Sequence, residues 1–145
     1  MKALSLAEYR HISEFRYRIR QFLHFSEQAA RDNGIDPQQH QLLLAIKGLP
    51  EGTRPTITAV SERLGIRHHS AVELVNRAVA HGSVAKHHNA DDAREVLLEL
   101  TPQGEQLLQK LSVLHWQELQ NSGPTLAQAL GNIVQHTPQK ARKSA

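Results

Sequence analysis

Apolar side chains along this chain recur mainly at helical spacing. Over residues 5–32, Ile12, Phe15, Ile19, Phe22, Leu23 and Ala30 follow one another at intervals of three and four, which predicts one long amphipathic helix. Asn33-Gly34 ends it, and Asp36-Pro37 opens a second helix through an acidic cap and a proline in the first turn. That helix carries Leu42, Leu43, Leu44 and Ile46 to Gly48, and the Pro- and Gly-containing stretch 49–55 reads as a loop. Thr56 caps a short helix over 57–64, Gly65-Ile66 breaks it, and a fourth helix spans about 68–81 with Ala71, Leu74, Val75 and Ala78 inward. The fourth helix starts without a good cap, because Arg67 occupies the place where Ser or Asp is expected; entry at His69 or Ser70 is the alternative.

After Gly82 the period changes to two. A short strand over 84–87, a polar turn over 88–93 and a strand over 94–100 carrying Val96, Leu98 and Leu100 predict a hairpin. Thr101-Pro102 then opens a fifth helix to about 120, with Leu107, Leu108, Leu111, Leu114 and Leu119 as its apolar set. Gly123-Pro124 predicts a break, and Thr125 a cap for a sixth helix ending near 136, followed by a basic, frayed tail over 137–145. Two short helices joined by a tight turn and followed at once by a hairpin make a winged helix-turn-helix. The fold expected is mainly α with a small β wing. It is one domain over 1–145: a core over 36–101 flanked by dimerisation helices at 1–34 and 102–136.

Composition narrows the chemistry. The 145 residues hold no cysteine, which excludes disulfides, zinc–thiolate sites and thiol redox sensing. No apolar run is long enough to span a membrane and the N-terminus lacks a signal-peptide core, so a cytoplasmic protein without membrane association is expected. Formal net charge is only +3, which by itself does not imply nucleic acid. Its distribution says more. Residues 54–94 carry six Lys/Arg, four acids and five of the ten His, a stretch dense in hydrogen-bond donors.

Four segments carry a resemblance to a known family. They are DPQQHQLLLAIKG at 36–48, TITAVSERLGI at 56–66, the Leu74-Val75-Asn76-Arg77 to Gly82 pattern, and the wing signature. The last reads Asp92-Ala93-Arg94, then EVLLE, then Leu100-Thr101-Pro102-Gln103-Gly104. In this order and spacing the chain resembles the MarR (multiple-antibiotic-resistance) transcriptional regulators over roughly residues 5–135. Arg67, His68 and His69 depart from the small polar residues and Lys usual in that family, and Glu73 stands where Thr or Arg is common, so the target sequence does not transfer by analogy. The absence of Cys sets the chain apart from the family's peroxide-sensing branch.

Candidate DNA-contacting residues are Arg67, His68, His69, Ser70, Glu73 and Arg77 on the fourth helix, and His88, Asn89 and Arg94 in the wing. The start of the fourth helix favours phosphate through its free N–H groups and dipole. Glu73 either accepts from a cytosine amino group or pairs with Arg77 at i,i+4. Arg94 reaches a phosphate or the minor groove, or pairs with Asp92; Asp92 itself reads as wing support, since phosphate repels a carboxylate. The adjacent His pairs lack metal-ligand spacing, so neither metal nor cofactor is expected. An effector pocket implied by the resemblance draws Phe15, Arg18, His40 and Trp116 as candidates, though Phe15 and Trp116 also read as core or dimer packing and His40 as a satisfied, partly buried histidine.

The function expected is non-enzymatic. A homodimer is expected to bind an inverted repeat in double-stranded DNA, and the resemblance implies a repressor released by a small aromatic or phenolic effector. Imidazoles gain charge as pH falls from about 8 to 6, so affinity is expected to rise over that range. The rival is a winged-helix module that binds protein partners and not specific DNA.

Overall fold

The computed structural model describes residues 1–137; the basic tail lies, but for Thr137, outside the described residues. The elements are α1 (Leu6–Asp32), α2 (Pro37–Lys47), α3 (Ile57–Leu64), α4 (His68–Ala80), β1 (Val84–His88), β2 (Val96–Leu100) and α5 (Pro102–Val134). Two compact units are present. One is Ser26–Leu114, and the other joins Met1–Phe25 with the chain from His115 onward.

The helix boundaries follow from local hydrogen bonding. At the start of α1, Ser5 and Glu8 form a reciprocal capping box: the Ser5 N–H donates to Glu8 Oε2 at 2.6 Å, and the Glu8 N–H to Ser5 Oγ at 3.2 Å. Asp36 Oδ1 accepts from Gln38 N at 2.9 Å with Pro37 next in line, and Thr56 Oγ1 accepts from Ala59 N at 3.1 Å. At the end of α3, Gly65 sits at φ +65°; its N–H reaches Glu62 O and that of Ile66 reaches Ser61 O. The end of α4 repeats the motif, with Gly82 at φ +80° and Ser83 N donating to Ala78 O.

The core of the Ser26–Leu114 unit gathers Leu42, Leu43 and Ile46 of α2, Val60 of α3, and Leu74, Val75 and Ala78 of α4. Val84, Leu98 and Leu100 of the hairpin and Leu108 of α5 close it. All four α4 residues expected to face inward are buried. Gln39 Nε2 donates to Leu74 O at 3.2 Å and so ties α2 to the back of α4. Leu44, the remaining leucine of α2, is exposed.

Three boundaries differ from expectation. α5 runs without interruption to Val134, with Pro124 inside it, where a break and a sixth helix were predicted. Proline's φ suits a helix; it removes one N–H and crowds one carbonyl, which bends a helix without necessarily stopping it. Gly123 has no Cβ to meet the pyrrolidine ring, and Ser122 Oγ takes up the Glu118 carbonyl at 2.9 Å just before it. In the hairpin, β1 includes His88, and β2 starts at Val96 and not at Arg94. The N–H groups of Arg94 and Glu95 are consumed in the turn by Asp92 Oδ1 and Asp92 O, so neither serves the ladder. α4 starts at His68 despite lacking a side-chain cap.

In the second unit, the His11 and His136 rings meet edge-on with centroids 5.3 Å apart, and His136 Nε2 lies 3.7 Å from Glu8 Oε1. Phe22 and Phe25 pack edge-on against His115.

Candidate nucleic-acid interface

Helix α4 presents its N-terminus and outer face to solvent. Arg67, His68 and His69 are exposed, Ser70 is half-buried, and no side chain caps the first turn. The first helical backbone bond is Ala71 N to Arg67 O, so the N–H groups of 68–70 have no intrahelical carbonyl and stay available to an anion. Glu73 and Arg77 are exposed, and the i,i+4 pair expected between them is not formed among the described residues. The pair is a surface contact weak enough for two long side chains to forgo.

The wing is an antiparallel ladder in which Val84 faces Leu100, Lys86 faces Leu98 and His88 faces Val96. The loop before α3 adds an isolated bridge to β2: Thr56 pairs with Leu97, and Leu98 N donates to Pro55 O at 2.8 Å. The turn over 89–95 is held by its own polar groups. Asn89 N donates to Glu95 O at 3.0 Å and Asn89 Nδ2 to Glu95 Oε2 at 2.7 Å. Asp92 Oδ1 accepts from Arg94 N at 3.0 Å in an Asx-turn. Asp92 therefore stiffens the wing through the Arg94 backbone, and the ion pair with its guanidinium does not form. Arg94 is exposed, with no side-chain partner among the described residues. His88 Nδ1 lies 3.2 Å from Ala93 O, and His87 Nε2 lies 2.7 Å from Glu99 Oε2.

Two polar contacts here have no sequence signal of their own. Arg54 Nη1 meets Glu95 Oε2 at 2.7 Å, pinning the loop before α3 to the base of the wing. Lys86 Nζ of β1 donates to Asn76 Oδ1 of α4, which clamps the wing to the exposed helix face. Of the six Lys/Arg in 54–94, these two are committed internally. Arg63, Arg67, Arg77 and Arg94 are exposed and carry no ion pair among the described residues. Strand periodicity puts Lys86 on the same face as the buried Val84 and Leu98, at the end of the strand that leaves the core, but its partner depends on the α4–β1 angle, which no spacing rule supplies.

The wing signature has a structural cause. Thr101 Oγ1 donates to Gly82 O at 2.6 Å and accepts from Gly104 N at 3.1 Å, so it caps α5 and fastens it to the exit of α4. Thr101 N donates to Ser83 O at 3.0 Å. A Cβ on Gly104 would lie 2.1 Å from Ser83 O, so this crossing admits only glycine.

The effector candidates divide between the units. His40 is 1% exposed within the Ser26–Leu114 core. Phe15, Arg18 and Trp116 belong to the other unit. There Arg18 borders a cavity of about 460 Å³ with Phe22, His24 and Glu118, which Phe15 and Trp116 do not line. The Arg18 guanidinium is already engaged by Glu14 at 2.8 Å and Gln21 at 3.2 Å. Trp116 is 68% exposed on the single chain, so it is not a core residue there. Among the described residues no group of three or more His, Asp or Glu is placed to hold a metal, and no helix is long and apolar enough to cross a membrane.

Comparison with known proteins places this geometry. No curated protein sequence matches the chain significantly. The chain is similar in structure to AbsC, a MarR family transcriptional regulator from Streptomyces coelicolor. The TM-score is 0.72 at 16% identity, covering 87% of this chain and 84% of that one. Wild-type MarR from E. coli in its apo form aligns with a TM-score of 0.67 at 18% identity over 92% of this chain and 99% of that one. A mutant of S. aureus MepR bound to an oligodeoxyribonucleotide aligns with a TM-score of 0.63 at 15% identity over 77% and 79%. At these identities the likeness is one of fold. The sequence model of the MarR family matches residues 33–95, the segment from the end of α1 through the helix pair to the turn of the wing. The chain therefore has the winged helix-turn-helix fold of MarR family proteins, and its segment 33–95 matches that family's sequence model.

Proposed function

We propose that the protein is a sequence-specific DNA-binding transcriptional regulator without enzymatic activity. The observation that carries this reading is the state of the polar groups around α4 and the wing. Those that shape the support are satisfied internally, while Arg67, His68, His69, Arg77 and Arg94 face solvent and carry no ion pair among the described residues. Cations held on a rigid support suit phosphates, and the open N-terminus of α4 suits a phosphate or a base edge. The structural likeness to a MepR mutant that is bound to an oligodeoxyribonucleotide supports the same partner.

The working form in this reading is a cytoplasmic homodimer on an inverted repeat, with reading helices about 34–36 Å apart in successive major grooves. Apolar side chains exposed on the single chain, among them Ile12, Leu23, Trp116 and Leu119, support a second copy as their cover. The protein acts as a repressor, and a small aromatic or phenolic acid releases it by binding better to the form that does not fit DNA.

The test is selection of bound duplexes from random DNA, followed by anisotropy titrations at several salt concentrations. A two-fold symmetric consensus, and an affinity falling linearly with salt on logarithmic axes, are expected. Equal binding of all sequences at every salt concentration, or none, would overturn the reading.

A further inference from the structure

On α4 the buried Ala71, Leu74, Val75 and Ala78 fix the inward face. With 100° per residue, the positions opposite them are His69, Glu73, Asn76 and Ala80, so Glu73 stands at the centre of the outward ridge. Three observations constrain it. The residue is exposed and has no hydrogen bond or ion pair among the described residues. Its natural neutraliser, Arg77, does not pair with it. Asn76, the other polar group on the ridge beyond His69, has its side-chain oxygen engaged by Lys86, which competes with the two-bond pair to adenine that uses both that oxygen and the amide N–H.

An unpaired carboxylate at the centre of a DNA-reading face must find a donor or weaken binding. Phosphates repel it. In the major groove guanine offers only acceptors, and thymine an acceptor and a methyl group. Adenine offers an amino donor beside an N7 acceptor that repels a carboxylate. Cytosine offers its N4 amino group with no acceptor on the same base. We propose that Glu73 is a specificity-determining residue that selects cytosine in each half-site by accepting a hydrogen bond from the N4 amino group. This rests on the DNA-reading function proposed above and adds to it one base and one residue.

The experiment is parallel selection from the same random duplex library with the full-length protein, Glu73→Ala and Glu73→Gln, with the melting curve of each recorded. The native protein is expected to enrich cytosine at one position per half-site by roughly tenfold over other bases. Glu73→Ala is expected to lose the preference at that position alone. Glu73→Gln is expected to move it to adenine, because an amide supplies the acceptor and donor that N6 and N7 require. Identical consensus sequences from all three proteins would overturn the assignment while leaving DNA reading intact, as would a uniform gain in affinity for every sequence with Glu73→Ala. Absence of any enriched sequence with folded native protein would sink the DNA-reading function and the assignment together.

Discussion

Replacing Gly104 by alanine tests the joint on which the wing depends. Gly104 lies in the first turn of α5, where a glycine-to-alanine change in open surroundings stabilises a helix by about 0.5–1 kcal/mol. Here the new Cβ would lie 2.1 Å from Ser83 O, 3.0 Å from Ser83 C and 3.3 Å from Ser83 Cα. The carbonyl must retreat by more than an ångström, and it is not free to do so. It accepts from Thr101 N at 3.0 Å, and Ser83 is itself anchored to Ala78 O by its backbone N–H and, at 3.2 Å, by its hydroxyl. Relief therefore breaks the Thr101 bond and loosens the adjoining contact of Thr101 Oγ1 with Gly82 O.

Overpacking costs about 1–3 kcal/mol and a buried carbonyl left without its partner about 1–3 more. Against the helix gain, the net loss is about 3 kcal/mol, or roughly 10 °C in Tm for a chain of this size. Gly131→Ala is the internal comparison: the site is helical with nothing within 4 Å, so Tm is expected to hold or rise slightly. Thermal unfolding followed by far-UV circular dichroism reads both. A Gly104→Ala protein as stable as the parent would refute the close crossing, and with it the account of why threonine and glycine stand three residues apart after the wing.

The remaining expectations concern the exposed groups. Arg94→Ala is expected to leave stability within about 0.5 kcal/mol of the parent, because the side chain has no partner among the described residues. It should reduce the slope of log affinity against log salt by about 1, an unchanged slope arguing against a phosphate contact. Glu95→Ala removes the acceptor shared by Asn89 and Arg54, so amide hydrogen exchange over the 89–95 turn is expected to speed up while α2 and α4 amides keep their protection. The Ser5 backbone N–H, followed by the Ser5 hydroxyl, holds the Glu8 carboxyl below the ordinary carboxylate range. A lowered folded-state value gives stability that is complete above the unfolded value and fades as pH falls through the folded one. The Tm of the parent is accordingly expected to drop more steeply than that of Glu8→Gln below about pH 4.5, and parallel curves would dismiss the capping box as a source of stability.

Where one residue's chemistry settles a backbone state, the sequence was legible. Asp36-Pro37, Thr56, Gly65 and Gly82 each act at the boundary their chemistry suggests, and the inward face of α4 follows from spacing alone. It failed where two signals compete. Gly123-Pro124 has the composition of a break, yet proline's torsion is helical and the glycine ahead of it removes the obstacle, so α5 continues. Residues 94 and 95 continue the strand pattern, but Asp92 captures their N–H groups first. Ser5-x-x-Glu8 carries the capping-box pattern in the sequence itself, and the structure forms both of its bonds. Contacts such as Arg54–Glu95 and Lys86–Asn76 join residues 41 and 10 positions apart through angles between elements, which one-dimensional spacing does not carry.

The contrast between committed and uncommitted side chains bears on how such a surface reads DNA. A wing or helix that first had to order itself on the duplex would lose affinity to that ordering. Here Asp92, Asn89, Glu95 and Arg54 fix the turn, Lys86 fixes the strand against α4, and Thr101 fixes the exit of α4 against α5 before any ligand arrives. None of these groups has to contact DNA to matter for binding. Substitutions among them should therefore lower affinity for all sequences alike and leave the consensus unchanged. Substitutions at His69 or Glu73, which hold nothing in place, should alter the consensus and leave stability unchanged. A consensus that moved with Lys86→Ala and not with Glu73→Gln would reverse this division of labour.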